Sequence, residues 1–346
     1  MHQSKNKSRF KLQVINKAAL GRLAIFFVVL IVLCFWMWFM MFAMPEQSYR
    51  EEVKPLNTKE IELQTLLKKD IKKIAFDIGS RNSGQYEKLN DTRDFLEKTF
   101  VQEGYEVKSL EYKINGKSYY NLEVEKLGTE KPQEIVIVGG HYDSAFTSHG
   151  ANDNATGAAA TLELARIFAT KPTKRTIRFV EFTNEEPPYF WTEDMGSLVY
   201  AKKLHQRGEN IVAMLSLETM GYFSDVVNSQ KYPFPIGLLY PNQGNFIGFI
   251  GNLNSRNLVR KSIASFRRYA QFPSEGAALP AWVPGIGWSD HWSFWQQGYP
   301  AIMVTDTATY RYPYYHTEQD TLDKINFEKF SKVVTGLSEV ISDLAQ

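Results

Sequence analysis

The hydrophobic pattern divides the chain near residue 44. From Leu23 to Met44 it reads LAIFFVVLIVLCFWMWFMMFAM, with no charged residue. At ~1.5 Å of rise per residue, such a run crosses a ~30 Å hydrocarbon core as a helix. Trp36 and Trp38 lie in its distal half, as an aromatic belt would place them. A cleavable signal peptide would end in a small-x-small pattern, which Met41-Phe42-Ala43-Met44 lacks. A buried core helix rarely stays apolar on every side for about six turns. The pattern therefore predicts a retained transmembrane helix over 23–44.

Beyond it the periodicity is that of a folded domain. Residues 45–70 are polar and charged and read as a linker running into a helix, with Ile61, Leu63, Leu66, Leu67, Ile71 and Ile74 at helical spacing. A second helix is expected over 91–103, closing at Gly104. Asn115-Gly116 marks a hairpin between 105–114 and 117–127. Strands are then predicted at 134–140, 176–183, 211–217, 236–240 and 301–304, with helices over 156–169, 195–206 and 327–344. Strands separated by helices imply an α/β fold, a mixed and mostly parallel central sheet sandwiched by helices. In such folds the ligand site lies at the carboxyl ends of the strands. The expected organisation is a basic segment 1–22, the span 23–44, a linker and helix 45–70, and a catalytic domain 71–346.

Charge sharpens this division. The 346 residues carry a formal +2, but residues 1–22 hold six basic side chains and no acidic one, which leaves −4 on the remainder. By the positive-inside rule the N-terminus stays cytoplasmic and 45–346 lie outside, best matched by a bacterial periplasm. The acidic remainder argues against nucleic-acid binding. The single cysteine, Cys34, lies within the apolar span, which excludes a disulfide framework or thiolate metal site in the domain. Neither a Gly-x-Ser-x-Gly elbow, nor a phosphate-cradling Gly-x-x-x-x-Gly-Lys loop, nor a His-Glu-x-x-His pair occurs, and Gly285-Ile286-Gly287 lacks the third glycine of a dinucleotide fingerprint.

What recurs instead is imidazole and carboxylate just after predicted strands. The segments are His141-Tyr-Asp143-Ser, Gly150-Ala-Asn-Asp153-Asn-Ala-Thr-Gly157, Asn184-Glu185-Glu186, Glu218-Thr-Met-Gly-Tyr and Tyr315-His316-Thr-Glu-Gln-Asp320. A histidine after a strand is commonly a loop residue, and Asp-Asn before a helix is commonly a cap. Adjacent carboxylates at one strand end, however, repel unless a cation or proton lies between them. Imidazole and carboxylate donors without thiolates suit catalytic zinc with an open coordination position.

This ordered set, HYDS, GANDNATG, NEE, LETMGY and YHTEQD, resembles the co-catalytic di-zinc aminopeptidase family, which includes glutamate carboxypeptidases and glutaminyl cyclases. The likeness covers essentially 71–346 and implies a sheet of commonly eight strands with two zinc ions at its carboxyl edge. Position by position, it implies that His141 and Glu218 hold one zinc, Glu186 and His316 the other, and that Asp153 bridges them. Glu218 departs from the aspartate of many members. Glu185 would be the general base and Asp143 the carboxylate that orients His141. The peptide bond after Asp153 is expected to be cis. Tyr315 matches a tyrosine that hydrogen-bonds the oxyanion, with a packed aromatic as the alternative. Ser289-Asp290-His291 resembles a family segment beside the site, with His291 behind the ligands and Asp290 buttressing it. The aromatic run Pro187–Trp191 is expected to shape the pocket.

The leading expectation is a membrane-tethered zinc aminopeptidase that releases N-terminal residues from peptides, Glu185 taking the proton from a water shared by the two metals. A glutaminyl-peptide cyclotransferase, a carboxypeptidase and a non-catalytic scaffold are the alternatives. Oligomeric state and side-chain preference are not written in these motifs.

Overall fold

The structure, a computed structural model, describes residues 17–346. Residues 1–16, most of the basic segment, lie outside the described residues. The described residues form two compact units, one ending at Ala43 and the other running from Met44 to Gln346. The described part of the first unit carries helix α1 (Lys17–Met41). Its stretch Ala18–Met41, 24 residues containing an 18-residue run with a mean hydropathy of 2.8, is long and apolar enough to cross a membrane.

The second unit is an α/β sandwich. Helix α2 (Thr58–Ile71) starts in a capping box, in which the Asn57 side chain accepts from the Glu60 amide and the Glu60 carboxylate accepts from the Asn57 amide. Helix α3 (Tyr86–Gln102) starts five residues before its predicted position. Strands β1 (Lys108–Ile114) and β2 (Lys117–Lys126) form the predicted Asn115-Gly116 hairpin. There follow β3 (Lys131–His141), α4 (Ala155–Phe168), β4 (Arg175–Phe182), α5 (Gly196–Gln206) and β5 (Asn210–Glu218). The chain continues through β6 (Ile247–Asn252), α6 (Arg256–Tyr269), β7 (Ser274–Leu279), α7 (His291–Trp295), β8 (Ala301–Thr305) and α8 (Phe327–Leu344).

One eight-stranded sheet has the order β1-β2-β4-β3-β5-β8-β6-β7. Its centre, β4-β3-β5-β8, is parallel, while β1/β2, β2/β4 and β6/β8 pair antiparallel. Central strands are buried on both faces, so they read as continuous apolar runs. In β3, Val136 and Val138 join a core with α2, α3, α4, α6 and α8, while Ile135 and Ile137 join a second core with α5 and α7. Pairing also sets a row across four strands: Glu218 lies opposite Thr305, Thr305 opposite Gly248, and Gly248 opposite Glu275.

One predicted strand is corrected. Residues 236–240 hold a 3-10 turn over Ile236–Leu238, because Pro233 and Pro235 just before it offer no backbone donor for a ladder. The strands at that side of the sheet are β6 and β7, whose short glycine- and alanine-containing runs carry little β signal.

Close approach of α4 to the sheet depends on Gly157. A Cβ there would lie 2.3 Å from the Leu217 carbonyl oxygen, which belongs to a central strand and cannot retreat. Gly157→Ala should destabilise the second unit by about 1–3 kcal/mol, read as a lowered denaturation midpoint.

Candidate metal centre

Every expected metal-site residue sits at the end of a central strand or in the loop beyond it. His141 is the last residue of β3 and Glu218 the last of β5. Glu185 and Glu186 follow β4, Asp153 lies between β3 and α4, and His316 lies in the loop after β8. Strand order brings them together, since β4, β3, β5 and β8 are neighbours. The His141 Nε2 lies 3.2 Å from Glu218 Oε2, 3.5 Å from Asp153 Oδ1 and 3.8 Å from Glu185 Oε2. The His316 Nε2 lies 3.0 Å from Asp153 Oδ2 and 3.2 Å from Glu186 Oε2. The two oxygens of Asp153 thus face different imidazoles. All these side chains are buried except His316, which keeps a quarter of its surface exposed and marks the open side.

Backbone geometry is held by other carboxylates and amides of the same motifs. Asp143 lies 3.4 Å from His141 Nδ1 and accepts the amides of Glu185 and Glu186, so it fixes the imidazole and the turn after β4 together. The Asp153–Asn154 bond is cis, as expected. Asn154 caps α4 through the Gly157 amide, accepts the Thr219 amide and donates to the Leu217 carbonyl, tying the Asp153 loop to the end of β5. Asp320, from the YHTEQD segment, accepts the Asn152 and Asp153 amides and the Tyr312 hydroxyl.

The donor set fits zinc. Two ligands of a tetrahedral zinc with ~2.0–2.1 Å bonds stand about 3.3 Å apart, close to the imidazole-to-carboxylate separations here. Among the described residues, His316 Nε2, Asp153 Oδ2 and Glu186 Oε1 are buried without a hydrogen-bond partner, as atoms aimed at a cation would be. The charges agree. Burial and the neighbouring Asp153 push Glu186 up to about 8, and burial lifts Glu185 well above the carboxylate range. Burial opposes charging His316, yet the Asp153 and Glu186 carboxylates beside it raise it to about 11. A divalent cation relieves the repulsion that protons otherwise answer.

The remaining expected residues divide. Tyr315 stacks on the His316 ring, centroids 3.9 Å apart, and is half-buried at the rim. Asp290 does not buttress His291. Its carboxylate is buried without a hydrogen bond among the described residues, and the His291 Nε2 donates to the Ile286 carbonyl 2.7 Å away. In the Pro187–Trp191 run, Trp191 stacks on Trp292 and donates to the Gly287 carbonyl.

Arg81 was not singled out by the sequence, and Ser289 was named only as part of its segment, without a role. Arg81 is fully buried, and its guanidinium donates to the carbonyls of Tyr142, Gly79, His149 and Gly150, clamping the loop that carries Asp143 and Asp153. Its only sequence signal is an arginine within Gly79-Ser-Arg-Asn-Ser-Gly84, which resembles an ordinary turn. Ser289 donates to Glu218 Oε2 over 2.8 Å and contacts Ser216, so it orients the longer glutamate side chain.

His291 supplies a test of pH dependence. Burial pushes its imidazole down from 6.5 to about 4, so the unfolded chain takes up a proton below pH 6.5 that the folded protein refuses until about pH 4. Its contribution is complete above pH 6.5 and lost as pH falls through that window. The stability advantage of wild type over His291→Gln should shrink by about 2 kcal/mol between pH 7 and pH 5, measured by denaturant titration at both values.

Known proteins resemble the chain in sequence and in fold. The family model of peptidase family M28 matches residues 123–341. The YfbL protein of Escherichia coli is 35% identical over 280 residues, 78% of this chain and 85% of that one. The chain spans less than half of a probable zinc metalloprotease of Pyrenophora teres, at 29% identity over 209 residues, 54% of this chain and 41% of that one. Among solved structures, BSAP, a zinc aminopeptidase from Bacillus subtilis, shares the fold with a TM-score of 0.66 at 14% identity, over 82% of this chain and 95% of that one. A glutaminyl cyclase from Fimbriiglobus ruber does so with 0.60 at 21% identity, over 85% and 98%. The chain belongs to peptidase family M28, and is accordingly a hydrolase of peptide bonds with zinc as its metal.

Proposed function

We propose that the chain is a zinc aminopeptidase, removing N-terminal residues from peptides with two metal ions. The observation that carries this reading is the division of Asp153, whose Oδ1 faces His141 and whose Oδ2 faces His316. One carboxylate would then serve both ions, with His141 and Glu218 the residues that would hold one and Glu186 and His316 those that would hold the other. Bound zinc would acidify the attacking water and polarise the scissile carbonyl.

The chain's own residues supply the rest. Glu185 stands beside the ligands, 3.8 Å from His141 and held by its amide on Asp143. Its burial raises its proton affinity, which suits a base that takes the water's proton and returns it to the departing amine. Asp143 keeps the His141 ring in place, and Arg81 fixes the loop that carries both aspartates. Tyr315, stacked on His316 at the rim, would donate to the oxyanion.

A glutaminyl cyclase reading is favoured by the F. ruber fold alone, and two ligand groups sharing one aspartate speak for the peptidase. The length and apolar character of α1 support membrane attachment, in which the basic N-terminal residues would stay cytoplasmic and the catalytic unit would lie outside, in a bacterium the periplasm.

Glu185→Gln should lower kcat on aminoacyl-nitroanilides by at least about 10²-fold while zinc content stays at two per chain. Asp153→Asn should lose metal from both sites, measured by elemental analysis. Near-wild-type turnover by Glu185→Gln would sink its assignment as base. Equal cleavage of N-acetylated and free-amine substrates would sink the aminopeptidase reading.

A further inference from the structure

Beside the metal centre, the sheet face formed by β8, β6 and β7 borders a cavity closed on its far side by the chain between β5 and β6. Glu218 and Tyr315 line one end. The floor is the cross-strand row Glu218, Thr305, Gly248, Glu275, and all four residues line the cavity. Directly opposed residues on paired strands point to one face, and three steps of ~4.8 Å put the Cα of Glu275 roughly 14 Å from that of Glu218.

The walls are apolar and aromatic. Tyr232 stacks on Tyr240 with centroids 5.7 Å apart, and Trp288 lies along Tyr310 at 6.4 Å. Gly248, with no side chain, leaves the floor open between Thr305 and Glu275. The one acidic group at the distal end is Glu275, and it is unusual. Its side chain is only 24% exposed, yet its carboxylate makes no hydrogen bond among the described residues. Two cations act on it: Arg267 approaches only to 3.7 Å and is committed elsewhere, and Arg50 acts through its charge, with no hydrogen bond to it among the described residues. The Arg267 Nη1 donates to the Pro45 and Glu46 carbonyls, Nη2 to the Ser274 carbonyl and Nε to Ser274 Oγ. Lys231, at the exposed rim, makes no ion pair with Glu275 among the described residues.

A carboxylate drawn out of water with its acceptor capacity unspent is unfavourable by itself. Beyond a slot of aromatic rings it suits a guest with an aliphatic stem and a cationic head, which gains from both the ring faces and the carboxylate. We propose that this cavity receives the side chain of the substrate's N-terminal residue and selects lysine or arginine, the stem lying over Thr305 and Gly248 and the cation meeting Glu275. The proposal rests on the aminopeptidase reading.

The test uses the full chain in detergent, loaded with zinc, and the nitroanilides of lysine, arginine and norleucine, the last having lysine's stem without its charge. Lysine and arginine substrates should exceed norleucine in kcat/KM by about tenfold or more, and Glu275→Gln should lower the lysine-to-norleucine ratio by a similar factor, chiefly through KM. A ratio near one in the wild type, or one that Glu275→Gln leaves in place, overturns the proposal. Calorimetric binding of lysinamide and norleucinamide to the same wild-type protein reads the pocket without turnover. A lysinamide preference of about tenfold supports it, and equal affinities overturn it. If no nitroanilide is cleaved but lysinamide is preferred, the aminopeptidase reading falls while the pocket stands. If norleucine is cleaved as well as lysine, the reverse holds.

Discussion

The constraint on which the structure turns is like charge gathered out of water. Asp143, Asp153, Glu185, Glu186, Glu218 and Asp320 are all buried at one edge of the sheet. Each would repel the others and forfeit its hydration. The fold answers with partners of three kinds. Backbone amides satisfy the carboxylates that bind no metal in the proposed arrangement, as Asp143 takes those of Glu185 and Glu186 and Asp320 those of Asn152 and Asp153. The buried cation Arg81 lies among them, its guanidinium held down to about 10 by burial and supported by the charges of Asp143 and Asp320. What remains uncompensated is the set His141, Asp153, Glu186, Glu218 and His316, and that residue of unspent charge is where zinc is proposed to bind.

This division explains the strictness of the local backbone. A side-chain atom kept free for a metal cannot also anchor its own residue, so neighbours impose much of its position. Asn154 spans α4, Leu217 and Thr219 for this reason, and Asn152 reaches Asp306 and Gly221. Gly157 of the same segment allows α4 to press against Leu217 of β5, next to Glu218. The motif GANDNATG is thus mainly a positioning device with one proposed ligand in it.

The centre of the sheet and its strand-end chemistry were legible because both depend on local pattern. A doubly buried strand is an apolar run, and the residues just past it are fixed in sequence relative to it. The far side of the sheet was not legible. Strands β6 and β7 contain Gly248, Gly251, Gly276 and adjacent alanines, which have low strand preference, although Gly251 and Gly276 pack well against α6. The run at 236–240 had the apolar content of a strand, but the prolines before it prevail. Arg81 escaped for a different reason. Its contacts are to carbonyls up to 69 residues away, and acceptors on the main chain leave no trace in side-chain identity. Asp290 looked like a support for His291 because they are adjacent, whereas the backbone at the start of α7 sends the imidazole to Ile286 instead.

The strand order gives β8 two tasks. Through parallel pairing with β5 it flanks the proposed metal site, and through antiparallel pairing with β6 it begins the floor of the cavity. Because Thr305 is the register partner of both Glu218 and Gly248, the distance from proposed metal ligand to Glu275 is set by sheet geometry and not by loop conformation. Loops can reshape the walls, as the turn at 236–238 and the Pro284–Trp288 segment do, without moving the acidic end relative to the chemistry. A binding slot measured in strand spacings is rigid along its length and adjustable across its width. Such a slot discriminates side chains by reach and terminal charge more sharply than by girth.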